Sequence, residues 1–242
     1  MPDYLTIVSN GEPTLDTNLR ETIHRLKSTG IPVAVITNGS KLNEDPVIED
    51  LLEADWVSVK MDAADRKIWH AVNRPDRTLD FETHLSGVFR FFKTFQGIAC
   101  TETMLLDGVN DSKEHLFRLS ELIRQANPSK AFISIPIRPP AEKSVRPPDE
   151  ERLNQAWQII NNTGVAVEFI TGFEGTWAGF TGNAYEDILN ITAVHPLREE
   201  TLERLLENDG AGMNVVDSLI SQRLIKETLF GGNKYYMRVN NS

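Results

Sequence analysis

Short apolar runs rich in β-branched residues alternate along this chain with longer stretches of helical periodicity, and no other feature limits the fold as strongly. The runs fall at Tyr4–Ser9, Pro32–Thr37, Trp56–Met61, Ile98–Leu106, Ala131–Ile137 and Val165–Thr171. Between them, Asn18–Ser28, Pro46–Glu53, a segment around Phe81–Phe95, Lys113–Gln125 and Glu150–Asn162 read as helices, with Asp149 placed to cap the last. Six strands joined by helices predict a parallel sheet, closed as a barrel or open and doubly wound.

From about Gly182 the pattern changes. Tyr185–Val194, Glu199–Glu207 and Met213–Arg223 read as three short helices, and Leu224–Phe230 and Lys234–Val239 as a hairpin turning at Gly231–Gly232–Asn233. Three helices closed by a two-stranded wing predict a small winged-helix domain. The expected domains are therefore 1–182 and 183–242, and the Pro-rich stretch Arg138–Pro148 is a stiff loop rather than a linker.

At 242 residues, 40% hydrophobic and 25% charged, the chain has enough apolar surface for a substantial core. A net charge of −10 argues against broad attraction to nucleic acid or anionic membrane and favours small-molecule or protein partners. No apolar run approaches the ~18 residues of a bilayer span, and MPDYLTIVSN is no signal peptide, so a cytoplasmic location is expected. Cys100 is the single cysteine, which rules out an internal disulfide and a multi-cysteine metal site built from this chain alone. The five histidines show no paired ligand spacing and read mostly as surface groups, without a zinc site.

The first strand ends in Gly11–Glu12–Pro13, where glycine permits close backbone approach to a ligand and proline stiffens the turn. An ordinary strand-to-helix turn would read the same way. Thr37–Asn38–Gly39 ends the second strand similarly, at the sheet edge where parallel α/β folds bind ligands, although Asn-Gly is also a common turn dipeptide. In the third strand Ser58, Lys60 and Asp62 share one face, opposite Val57, Val59 and Met61. Glu102 shares a parity with Cys100 and Met104, and Ser134 shares one with Arg138, so Lys60 and Glu102 are expected to meet on the inner face. That pair is either part of a pocket or a structural salt bridge. Asn110 and Asp111 either face a cleft or cap the helix that starts near Ser112.

Taken in order, Asn10–Leu15, Ala34–Gly39, Asp62–Ala63, Asn73–Arg74–Pro75, Gly108–Asp111 and Arg138–Glu142 resemble the radical S-adenosylmethionine (SAM) superfamily, in a branch similar to wyosine-type tRNA-modifying proteins. The resemblance implies a partial (β/α) barrel, SAM and a [4Fe–4S] cluster as cofactors, and cleavage of SAM to a 5′-deoxyadenosyl radical that takes hydrogen from a substrate. It assigns SAM contacts to Gly11, Glu12, Pro13, Thr37, Asn38, Ser58 and Asp62. Lys60, Glu102, Asn110 and Arg138 remain as substrate or pocket residues.

Three departures accompany the resemblance. Asn10 stands where the motif usually begins with glycine, and Lys60 stands where relatives usually carry a small residue. The CxxxCxxC loop that holds the cluster in the family is absent, and one cysteine cannot replace three thiolates. The expectation is a barrel lacking its first strand and inactive alone, whose partner is a missing N-terminal segment or another chain. The alternative is a non-catalytic winged-helix regulator or scaffold on a degenerate SAM-binding barrel. Within Ile188–Ser242 six Lys/Arg stand against seven Asp/Glu, so DNA binding by the tail is not expected.

Overall fold

The computed structural model describes residues 2–8, 11–170 and 181–239. Ser9, Asn10 and Thr171, which belonged to the expected strands or motif, lie outside the described residues. Contacts divide the chain into two compact units, Met1–Ile135 with Arg146–Thr171, and Pro136–Val145 with Gly172–Ser242.

In the first unit, strands β1 (Leu5–Ile7), β2 (Val33–Thr37), β3 (Trp56–Lys60), β4 (Ile98–Met104), β5 (Lys130–Ser134) and β6 (Val167–Ile170) form one sheet in chain order. Every neighbouring pair is parallel. The helices are α1 (Leu19–Lys27), α2 (Asp45–Leu51), α3 (Arg66–Asn73), α4 (Phe81–Thr94), α5 (Lys113–Ala126) and α6 (Glu150–Asn161). A doubly wound sheet reverses its strand order at one point, and this one never does. A right-handed crossover is the rule between parallel strands, and where the strand order never reverses it brings the connecting helices to one face of the sheet.

Side-chain parity follows from that layout. Val33, Val35, Val57 and Val59 pack against Leu19, Ile23, Leu51 and Phe91, and Ala131 and Ile133 pack against Leu116, Leu119, Ile123 and Ile160. Ser58, Lys60, Cys100, Glu102 and Ser134 occupy the opposite parity, away from the helices.

Two local outcomes differ from the expectations. Strand β5 stops at Ser134, two residues before Pro136, which has no backbone N–H to offer a ladder. The segment after β3, which is not among the helices expected from the sequence, forms helix α3. Asp65 caps it by accepting from Ile68 N at 2.9 Å, and Arg74 ends it in the left-handed region at φ 46°. The expected cap of α6 is present, with Asp149 Oδ1 accepting from Arg152 N at 2.8 Å.

The second unit holds α7 (Ala184–Val194), β7 (Leu197–Arg198), α8 (Glu199–Asn208), α9 (Asn214–Ser221), β8 (Ile225–Phe230) and β9 (Asn233–Arg238). Its three strands are antiparallel in the order β7-β9-β8. Ile188, Leu197, Leu202, Leu205, Val216, Leu219 and Tyr236 form its core. Gly231 and Gly232 both take positive φ, 54° and 77°, which the two-residue hairpin turn requires. Residues 136–145 join this unit, where the Tyr235 hydroxyl donates to Ile137 O at 2.8 Å, so the unit draws on more of the chain than 183–242.

Candidate functional site at the strand ends

The turn after β1 is organised by Glu12. Its Oε1 accepts from Thr14 N at 3.1 Å, Thr14 Oγ1 at 2.7 Å and Thr37 Oγ1 at 2.5 Å, and its Oε2 accepts from Asn38 N at 2.7 Å. Four donors satisfy the buried carboxylate, so it fastens the turn after β1 to the end of β2. Pro13 begins the short 3₁₀ turn that follows and is itself buried. A side chain at Gly11 would meet nothing within 4 Å, so the backbone there borders open space. Thr37 also accepts from Gly39 N at 3.0 Å, whose φ of 73° suits glycine.

Asp62, just past β3, is almost fully buried. Its Oδ1 accepts from Met104 N at 2.7 Å and its Oδ2 from Asn73 Nδ2 at 2.6 Å. Burial pushes its carboxyl above the ordinary carboxylate range, against the opposing pull of Lys60 and of these two donors. Asn110 is completely buried. It donates to Asp62 O and Met104 O, both at 2.9 Å, and accepts from Leu106 N at 2.8 Å. It clamps the ends of β3 and β4 together, and the cap of α5 is Ser112.

Lys60 Nζ pairs with Glu102 Oε1, its register partner on β4, and Ser134 Oγ donates to the same carboxylate at 2.9 Å. Ser58 lies buried in register with Cys100. Arg138 lies four residues beyond the end of β5 at Ser134 and belongs to the second unit.

A cleft of about 490 Å³ opens at these strand ends. Glu12, Asn38, Lys60 and Asp62 line it together with Met61, Trp69, Arg74, Leu79, Phe81, His84 and Leu85. Its size falls within the range of small-molecule sites, and it joins a polar end to an apolar wall. Trp69 stacks on His84 with ring centroids 5.1 Å apart. The histidine reading needs correction here, because His84 and His115 are buried. His84 recurs with Leu85, Val88 and Phe91 at helical spacing on the packed face of α4, which was the available signal. Burial lowers the pKa of both rings.

The residues present do not fit a [4Fe–4S] cluster. Cys100 is 2% exposed in the middle of β4, and burial pushes its thiol up. Among the described residues no three His, Cys, Asp or Glu side chains group to hold a metal.

The family model described as the Radical SAM superfamily matches residues 4–120. The UPF0026 protein of Methanocaldococcus jannaschii is 36% identical over 238 residues, covering 98% of this chain and 74% of that relative. The chain belongs to the UPF0026 family and to the radical SAM superfamily. Solved structures share the fold. A domain of pyruvate-formate lyase-activating enzyme from Bacteroides vulgatus gives a TM-score of 0.56 at 18% identity, over 68% of this chain and 97% of that one. A structure of TYW1 with a lysine-pyruvate adduct bound gives 0.55 at 20% identity, over 66% and 50%.

Proposed function

We propose that the strand-end cleft binds SAM and that this chain is the cofactor-holding part of a radical SAM enzyme acting on a separate substrate. The observation that carries this reading is the Glu12 fastening, which holds two strand-end turns together beside the open space at Gly11, with the cleft continuing past Asn38 to Asp62. SAM, when bound, supplies the superfamily's hydrogen-abstraction chemistry, and the protein binds, orients and shields it. Asn38 lines the cleft, next to the turn that carries Gly11. Asp62 presents a carboxyl held by Asn73 and Met104, and Trp69 excludes water from the apolar side. The thiolates for a cluster come from outside these 242 residues or from another chain, since Cys100 alone cannot supply them.

The second unit has the helix and strand order of a winged helix, and its role in this reading is to pack on protein or position a substrate. The proposed location is the cytoplasm; among the described residues no helix is long and apolar enough to cross a membrane. The second reading, a non-catalytic regulator, is favoured by the lone cysteine and requires salt-dependent DNA binding, which the six-to-seven charge balance of the tail opposes. Titration calorimetry of SAM into the full chain tests the first reading. Saturable binding that Glu12→Gln weakens is expected, and absence of any SAM binding would defeat it.

A further inference from the structure

The cleft at the strand ends has two sides of different chemistry. Its charged lining comes from strand ends and turns, and it balances: Glu12, Asp62 and Asp76 stand against Lys41, Lys60 and Arg74. The apolar side is built from Met61, just past β3, Trp69 of α3, and Phe81, Leu85 and Val88 of α4. These five residues belong to both core clusters of the unit, so the cleft reaches the seam between them. Trp69 packs against Phe81 with ring centroids 5.5 Å apart and against His84 at 5.1 Å, which gives this side flat aromatic walls. Burial favours the neutral form of the His84 ring, so no full charge stands there.

The helices that flank this space are held where they are. On α4, a Cβ at Gly87 would lie 2.5 Å from Leu42 C, so the helix already touches the 42–43 backbone and cannot approach it further. Arg90 Nη2 donates to Leu42 O at 3.2 Å and to Asn43 O at 2.9 Å, and these bonds oppose sliding of α4 along that segment. On α3, the capping Asp65 is paired with Arg118 of α5 at 3.0 Å. Closing the space would break these contacts. An apolar space held open and empty forfeits the dispersion contacts of its lining, and such spaces take up aromatic molecules rather than water.

We infer that the apolar side of the cleft is a second subsite, separate from the polar strand ends, for a small-molecule substrate bearing an uncharged carbocyclic ring. A charged group would be buried there with no counter-ion beside it. Adenine is a poor occupant as well. Its amino group and ring nitrogens need partners around the whole rim, whereas this side offers one histidine, so the ring is not the base of SAM. The inference deepens the proposed function by naming a substrate class and rests on it for the role of substrate alone; the subsite itself requires no SAM.

NMR shifts of the full chain during titration with benzyl alcohol, benzoate and benzylamine test it, because the three probes share a ring and differ in charge. Saturable benzyl alcohol shifts are expected at the amides of Trp69, Phe81 and Leu85, with both charged probes at least about tenfold weaker. Leu85→Phe fills the space and should weaken benzyl alcohol about tenfold. Val88→Ile, which adds one methylene to the same lining, takes its place if Leu85→Phe fails to fold. Absence of shifts at these residues, an equal response to all three probes, or unchanged affinity in the folded filling variant overturns the subsite. The wild-type titration is then repeated with SAM at saturation. Ring shifts that persist beside bound SAM support two subsites, and displacement of one ligand by the other overturns their separation. If SAM does not bind and the ring shifts remain, the proposed function fails and the subsite survives.

Discussion

Glu12 Oε1 and Thr37 Oγ1 lie 2.5 Å apart, joining the turn after β1 to the last residue of β2 through two nearly inaccessible side chains. The bond makes Glu12 a fastening for the cleft wall. Its carboxylate has no acceptor capacity that the protein leaves unengaged on Oε1, and the wall it holds is where the ligand is proposed to sit.

Replacing Glu12 by Gln removes the charge and turns one acceptor into a donor facing the Asn38 N–H or the Thr hydroxyls. Loss of charge-assisted bonds at a buried site should cost about 1–3 kcal/mol. Urea unfolding of the variant measures the cost. A midpoint equal to wild type would show that the fastening contributes nothing.

Gly87 tests how the cleft's second wall is placed. A Cβ there would lie 2.5 Å from Leu42 C and 2.6 Å from Asn43 N, both backbone atoms that cannot rotate away. Gly87→Ala should therefore push α4 away from the 40–44 segment and cost about 1–3 kcal/mol despite alanine's better helix propensity. It should also weaken ligand binding, because Ser40, Lys41 and His84 line the cleft on either side of that contact. Thermal unfolding and SAM titration check both effects.

His115 makes stability depend on pH. It is fully buried, neither ring nitrogen has a partner at full hydrogen-bond geometry among the described residues, and burial lowers its pKa below 6.5 although Asp65, 3.8 Å away, and the Asp62 backbone oppose the shift. A depressed folded-state pKa means that the unfolded chain binds the proton more readily. Its contribution is fully present above about pH 6.5 and is lost as pH falls below that value toward the folded-state pKa. His84 adds a second contribution of the same sign. His115→Leu should flatten the fall in denaturation midpoint between pH 7 and pH 5. An unchanged pH profile would exclude His115 as a source of it.

Cys100 should behave as a packing residue. Iodoacetamide should modify it slowly in the folded chain and quickly after unfolding, because it is buried and its thiol is pushed up. Anaerobic incubation with iron and sulfide should leave the chain with no more bound iron than the Cys100→Ser variant. Stoichiometric cluster with 5′-deoxyadenosine formation by this chain alone would contradict the cofactor-holding reading.

Much of the first unit is legible in the residues because its determinants are local. β-branched runs and helical periodicity specify the strand and helix order, and the two-residue period of a strand puts Lys60 and Glu102 on one face before their pairing is known. The Asp149 cap and the Gly231–Gly232 turn are likewise written within a few residues of chain. Tertiary structure decided what depends on distant neighbours. The Glu12 carboxylate is engaged by groups 25 and 26 residues away, a partnership that no local pattern in the chain shows. His84 and His115 lie buried against packed helices, and Asn110 closes on backbone 48 residues earlier. Two-residue β7 is too short to show a period, and it becomes a strand because β9 offers it hydrogen-bond partners. Local chain chemistry selects the elements, whereas burial and hydrogen-bond saturation are set by which elements become neighbours, and those decide which polar groups remain for a ligand.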